Sequence, residues 1–453
     1  MKKLYILSLL LLSNWALAQW IQNPAVNNVV CIQPYDQVNV KIVSDLKGGA
    51  IVIWEDYRKD STLKKADIYA QHIDAMGNPT WAINGVVVCN DTSHQSGVTA
   101  VSDSAGGAII VWQDHRTTKR NLFAQRIDSM GSVLWAANGV GVALRNYDQQ
   151  RAKILNDGSH GAVILWQDSV GGAYDIYAQR LSPTGTQLWV NAAGVCVFPL
   201  SQVNVKAQIT PAGDIYATWQ DKRNGADYDI FVQKLNLSGV SQWTANGVNI
   251  CNVAGNQTGP KISMDAGGGA VVVWQDKRNG VDYDIYAQRI NSIGAAQWTA
   301  NGVGICTVSG STQSAPDLTC QNMPNGAAFT WQDKRAGLTS TNVYAQKVNL
   351  SGVVQWITNG ILLGDGTHKQ TSPSIITDNG GGSIIAFQDS SAGSWDIKSV
   401  RLSATGSLLW ATGGINIGSA AGDQLNESNI NAGVGNSIYS FQDKRSGNYT
   451  KAN

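Results

Sequence analysis

The sequence predicts an all-β fold made from one unit repeated around a closed circle, and three observations predict it. An aromatic residue that ends an apolar run recurs at Trp54, Trp112, Trp166, Trp219, Trp274, Trp331, Phe387 and Phe441, at intervals of roughly 55 residues, the mark of a repeat architecture. No stretch keeps a 3.6-residue apolar period long enough for a helix, and each unit breaks into four short strand-like pieces separated by turn residues. The two ends of the chain carry complementary parts of one unit. The expectation is therefore a β-propeller of four-stranded antiparallel blades, eight in number, closed by pairing of the N- and C-terminal strands.

Taken in order, the chain opens with Lys2 and Lys3, an apolar run from Leu4 to Leu12 and an Ala16-Leu17-Ala18 site. This reads as a signal peptide over residues 1–18, cleaved after Ala18, with 19–453 as one repeat domain. The apolar run is shorter than the roughly 20 residues of a membrane span. In the unit that starts near Gln257, Pro260 to Met264 is a short first strand. Gly268 to Trp274 (GGAVVVW) is an unbroken apolar run of the kind buried on both faces. Asp284 to Ile290 (DIYAQRI) follows a turn at Asn279-Gly280, and Ala296 to Cys306 is the fourth piece. The mature chain opens on a fourth-strand piece at Trp20, matching Trp81, Trp135, Trp189, Trp243, Trp298, Trp356 and Trp410. After Gly447 only NYTKAN remains, so the last unit stops inside its third strand: either a fragment of a longer protein or an incomplete blade.

Composition agrees with close-packed strands. Of 453 residues only 14% are charged, while Gly (48) and Trp (16) are abundant. The formal net charge of +1 points to no nucleic-acid partner. Six cysteines in an exported chain invite disulfides. The repeat argues for buried free thiols instead, because Cys89, Cys251 and Cys306 share one slot that holds Ala143 and Phe198 in other units, with Cys31 and Cys196 out of register.

The run Pro211 to Leu235, PAGDIYATWQDKRNGADYDIFVQKL, resembles the TolB-type, WD40-like propeller repeat, with its Pro-x-Gly turn, apolar strand, Asp-x-Arg-x-Gly and Ile-Tyr strand. The full unit, with its added W-x-x-NGV strand, also resembles repeats in secreted and surface proteins of Bacteroidota that use the type IX secretion route. The first resemblance implies the fold, and the second implies delivery to the cell surface. Asp128-Ser129-Met130-Gly131 before Trp135 is similar to the Asp-box turn of sialidase-like propellers, with one residue too many.

An active site occupies one place, so a side chain present in nearly every unit answers to the blade. That applies to Asp56/Arg58, Asp114/Arg116, Asp221/Arg223, Asp276/Arg278, Asp333/Arg335 and Asp443/Arg445. The units at Asp168 and Asp389 lack the Arg, so an asymmetric function would sit beside them. Asp227/Asp229 and Asp282/Asp284, flanked by Asn-Gly, have the character of calcium ligands, or cap the next strand. A glutamine precedes the innermost strand of each unit: Gln37, Gln95, Gln149, Gln202, Gln257, Gln313, Gln370 and Gln424. These amides would either bind a sugar or peptide at the central opening or tie each blade to the next. The five histidines are scattered, and only Glu55 and Glu427 supply glutamate.

The resulting expectation is an exported or cell-surface, monomeric binding or scaffold propeller for a protein or glycan, without enzymatic activity and with no cofactor unless calcium. The alternatives are a carbohydrate-active propeller enzyme with an Asp-based site, or a structural repeat region of a larger surface protein.

Overall fold

The computed structural model describes residues 23–25, 28–60, 62, 65–320, 326–337, 341–444 and 451–452. The signal peptide, Trp20 and Arg445 lie outside them. Within them the chain forms seven four-stranded antiparallel sheets and one three-stranded sheet, each in simple sequence order. In the fifth blade the strands are Gln257–Met264, Ala270–Asp276, Asp284–Ile290 and Val303–Cys306. The first strand of each sheet is innermost, and it packs against the first strands of both neighbours around the ring. The ring closes where Gln37–Ser44 meets Gln424–Asn431 and Ser437–Asp443.

The expected blade count is corrected. There are seven blades, not eight: the eighth copy of the unit gives only the three strands Gln424–Asn431, Ser437–Asp443 and Lys451–Ala452. The N-terminal strand expected to complete that sheet, at Trp20, lies outside the described residues. The third strand of this sheet pairs only as Gln442↔Ala452 and Asp443↔Lys451. None of the described residues before Gln37 is in a strand. Val30 and Cys31 are instead buried side by side with Trp54 of the first blade and Ile438 of the last sheet.

Local geometry explains the repeated letters. Every inner strand breaks register near its third residue, as between Thr258 and Lys261, where the backbone turns left-handed: Asn39, Gly97, Arg151, Asn204, Gly259, Ala315, Ser372 and Asn426 have φ between 48° and 63°. This bulge carries the strand past Pro260, which removes a donor from the ladder, so the strand begins at Gln257 and not at Pro260. The second strand runs two residues beyond Trp274, because Gln275 and Asp276 pair with both neighbours. The outer strand is shorter than its sequence implies. Ala296 makes only an isolated bridge to Ile290, and regular pairing starts at Val303. Between them Gly302, at φ 89°, lets the chain pass over the indole, since a Cβ there would lie 2.6 Å from the ring of Trp274.

The apolar core lies between blades. Leu155 and Leu165 of the third blade pack with Trp219 and Phe231 of the fourth, and the same arrangement recurs round the ring. Trp54, Trp112, Trp166, Trp219, Trp274 and Trp331 are all fully buried. Outer tryptophans staple the periphery, as Trp298 Nε1 donates to the Leu350 carbonyl of the next blade at 2.9 Å. No helix among the described residues is long and apolar enough to cross a membrane.

Candidate functional site: blade rim and central channel

The Asp-x-Arg turn forms a closed network. Asp276 Oδ2 accepts from Trp274 Nε1 at 2.8 Å and from the Arg278 guanidinium at 2.6 Å, while Oδ1 accepts from the Arg278 backbone N–H at 2.9 Å. The guanidinium also donates to the Asn301 carbonyl at 2.7 Å and to Cys251 Sγ of the preceding blade at 3.4 Å. It lies 3.6 Å over the Tyr286 ring. Arg58, Arg116, Arg223 and Arg335 repeat these contacts. So one turn ties together its own indole, its own outer strand and the previous blade. The thiol partners are Cys31, Cys89, Cys196, Cys251 and Cys306. Cys31 and Cys196 therefore occupy the common slot, contrary to their apparent register, and all six cysteines are buried and unpaired.

The two Arg-less turns are not open sites. Arg145, from the loop that follows the outer strand of the second blade, reaches Asp168 at 3.4 Å and covers the Tyr177 ring at 4.1 Å, where the missing guanidinium would lie. In the seventh blade Lys398 replaces the usual aromatic of the third strand, and its amine meets Asp389 at 3.0 Å. Each buried carboxylate has recruited a cation from elsewhere, as an unpaired buried charge demands.

The eight glutamines at the starts of the inner strands are all fully buried. Their amide nitrogens turn back to their own loops: Gln257 donates to the Val253 and Gly255 carbonyls, Gln313 to Ser311, Gln202 to Leu200, Gln95 to Ser93 and Gln424 to Gly422. Gln149 bridges blades, accepting from the Leu122 N–H at 3.0 Å and donating to Ala143 at 2.7 Å, and Gln370 accepts from Val343. The Gln37 amide is buried without a hydrogen bond. None presents an amide to the central opening. A second glutamine, in the WQD letters, has a role that the sequence reading missed. Gln167, Gln220 and Gln275 accept from the bulge N–H of Asn204, Gly259 and Ala315 in the next blade, and Glu55 accepts from the N–H of Val98, one residue past the bulge at Gly97.

The acid pairs lie in rim turns. Asn224 donates its amide to Asp227 at 2.5 Å and to Asp229 at 3.1 Å, and Asp227 also accepts from the Gly255 N–H at 2.6 Å. Asn279 serves Asp282 and Asp284 in the same way. An amide N–H₂ thus faces both carboxylates, where a calcium ion would require oxygen. Burial, then the neighbouring Asp227 and Asp221, pushes Asp229 up to about 6; burial, then Asp282 and Asp276, does the same for Asp284. No cluster of three metal-ligating side chains occurs among the described residues.

The central channel is where the blades differ. Two residues after the bulge, the inner strands present Lys41, Thr99, Lys153, Lys206, Lys261, Asp317, Ser374 and Ser428 in equivalent register, opposite Ile53, Val111, Leu165, Thr218, Val273, Thr330, Ala386 and Ser440. All eight are half-buried. The positions on either side are mostly apolar and packed between blades, as with Val205 and Ala207. Burial, then the charges of Lys261, Lys153 and Arg151, pushes the Lys206 ammonium down to about 8, with Asp317 opposing. Lys153 is lowered by burial and Lys261. These charges act between non-adjacent blades, the third with the fifth and the fourth with the sixth, as expected of side chains that share the central opening. In the last sheet burial pushes Glu427 up to about 7; Gln388 donates to it at 3.4 Å. Tyr439, whose hydroxyl bonds Ser399 and Ser437, lies near it.

Stacked antiparallel blades, inner strands around an axis and a polar channel define the molecule as a β-propeller. No family model and no curated protein matches the chain. Among solved structures it is similar to an ulvan lyase described as a new family of polysaccharide lyase, at 10% identity and a TM-score of 0.46 over 85% of this chain and 95% of that one. It is also similar to a Hadza microbial sialidase (9%, TM-score 0.39, 72% and 71%), and to an endo-arabinase from Bacteroides thetaiotaomicron (13%, TM-score 0.32, 60% and 97%). At such identities no ligand or chemistry passes from them to this chain.

Proposed function

We propose that this protein is an exported or cell-surface binding propeller whose ligand, a glycan, is held at the central channel without being transformed. One observation carries the reading: the repeated polar side chains of the rim are consumed in stapling blades, whereas the channel ring changes from blade to blade and leaves the side chains of Lys153 and Lys206 without a hydrogen bond or ion pair among the described residues. Export rests on the N-terminal residues, and N-terminal sequencing of secreted material should begin at Gln19. A glycan-binding screen on the mature chain, with product analysis of each hit, tests the reading. Saturable binding without new reducing ends or unsaturated sugars supports it; catalytic turnover of a bound glycan overturns it.

A carbohydrate-active enzyme is the second reading, favoured by Glu427. A carboxyl titrating near 7 beside a tyrosine has the character of a general acid. Loss of turnover in Glu427→Gln, with binding retained, would support that reading over the first.

A further inference from the structure

We propose that Lys153, Lys206 and Lys261, with Arg151 at the mouth, form an anion site in the central channel that takes the carboxylate or sulfate groups of an acidic glycan. The inference rests on the binding reading above and specifies the ligand's charge.

The three lysines come from consecutive inner strands, Gln149–Asn156, Gln202–Ile209 and Gln257–Met264, at equivalent register. They converge from one side of the ring. Among the eight equivalent positions the one carboxylate is Asp317, and it meets Lys261 at 3.5 Å. Neither Lys153 nor Lys206 has a hydrogen bond or ion pair among the described residues. On the rim the opposite holds, since every Asp that ends a second strand of the seven blades (WED, WQD or FQD) has a cation, even where that cation must come from another position. A chain that supplies counter-ions this consistently at the rim leaves three ammonium groups facing one carboxylate in the channel. Such an excess is costly in a half-buried space, and an anion placed among them relieves it.

The rest of the ring suits a sugar. Arg151 sits at the left-handed bulge position, exposed, with its guanidinium held by Asn204 Oδ1 at 2.8 Å. Across the channel the equivalent positions are Thr99, Ser374 and Ser428, whose hydroxyls can meet a sugar's, and Ser374 Oγ has no hydrogen-bond partner. Lys41, the remaining lysine of the ring, lies near Glu55, which partly offsets its charge. The overall charge of +1 hides this local excess, because acids elsewhere in the chain balance it.

The test is calorimetric titration and thermal unfolding of the full mature chain with a galacturonate oligomer, a sulfated oligosaccharide, sodium sulfate and a neutral galactose oligomer, at matched ionic strength. Acidic oligomers should bind and raise the melting temperature, and affinity should fall as chloride is added. Lys206→Gln should weaken that binding about tenfold or more, the worth of one charged hydrogen bond. Without ligand the same variant should melt higher than wild type, so lost binding cannot be ascribed to lost folding. Acidic oligomers bound equally by wild type and Lys206→Gln would overturn the proposal. Binding of the neutral oligomer alone would overturn it too, while leaving the glycan-binding reading intact. Sulfate binding without any oligosaccharide binding would uphold the anion site and sink the glycan reading.

Discussion

The rim and the channel are built from the same repeated strands, yet they treat charge in opposite ways. At the rim each Asp that ends a second strand of the seven blades is buried and paired, and the substitutes Arg145 and Lys398 show that the pairing is kept when the local sequence lapses. In the channel Lys153 and Lys206 are left facing other cations. The difference teaches where to look in a repeat protein. Groups that recur, or whose loss is compensated, hold the blades together; groups that neither recur nor find partners are available to a ligand.

The largest effect should come from breaking the rim. Asp276→Ala removes the acceptor of both the Trp274 indole and the Arg278 guanidinium and leaves a largely buried cation unpaired. A loss of about 3 kcal/mol is expected, read by calorimetry as a clear fall in melting temperature. Removing charge from the channel by Lys206→Gln should act in the opposite direction, so the two regions are distinguished by sign.

A smaller effect sharpens the claim that compensation is real. Arg145→Ala should destabilise the third blade by about 2 kcal/mol, the cost of leaving the buried Asp168 carboxylate without its cation. Val170 stands where the other blades carry their Arg, so the double variant Arg145→Ala/Val170→Arg should recover most of the loss. An unchanged melting temperature in the single variant would mean that the contact at Asp168 is incidental.

Much of the scaffold was legible because the repeat supplied many readings of one strand. Trp274 and its counterparts are buried as expected, and the strand Asp284–Ile290 has the bounds that its DIYAQRI letters imply. The misses have local causes. Pro260 looked like a strand start because the bulge at Gly259 cannot be seen in a run of letters. Cys31 and Cys196 seemed out of register because their outer segments differ in length from those ending at Cys89 and Cys251, although the thiols meet the same Asp-Arg pair. The blade count of eight assumed that a matching tryptophan brings a full blade, whereas the last sheet offers almost no third-strand ladder. The lysines of the channel escaped notice for the opposite reason to the tryptophans. Their position holds Lys, Thr, Asp or Ser in different units, so it is silent in a search for what recurs.

The smallest expected effect concerns the rim's own exception to complete charge pairing. Asp229 and Asp284 each stand directly across the ladder from a second aspartate, Asp221 and Asp276, and both are pushed up to about 6. An aspartate in the unfolded chain titrates near 4. Between those values the folded protein holds protons that the unfolded chain has lost. The contribution of these two groups to stability is therefore fully present below about pH 4, falls as the pH rises through about 6, and is absent at pH 7. Blades two and six already carry the neutral solution, with Asn121 opposite Asp114 and Asn342 opposite Asp333. Asp229→Asn and Asp284→Asn should therefore raise the melting temperature at pH 7 by a few degrees or less, and the gain should shrink at pH 5. A gain that is the same at both pH values would point to lost contacts with Asn224 and Asn279 and not to charge. A loss of stability in the variants at pH 7, with added calcium raising the melting temperature of the wild type and not of the variants, would instead mean that the acid pairs serve a cation.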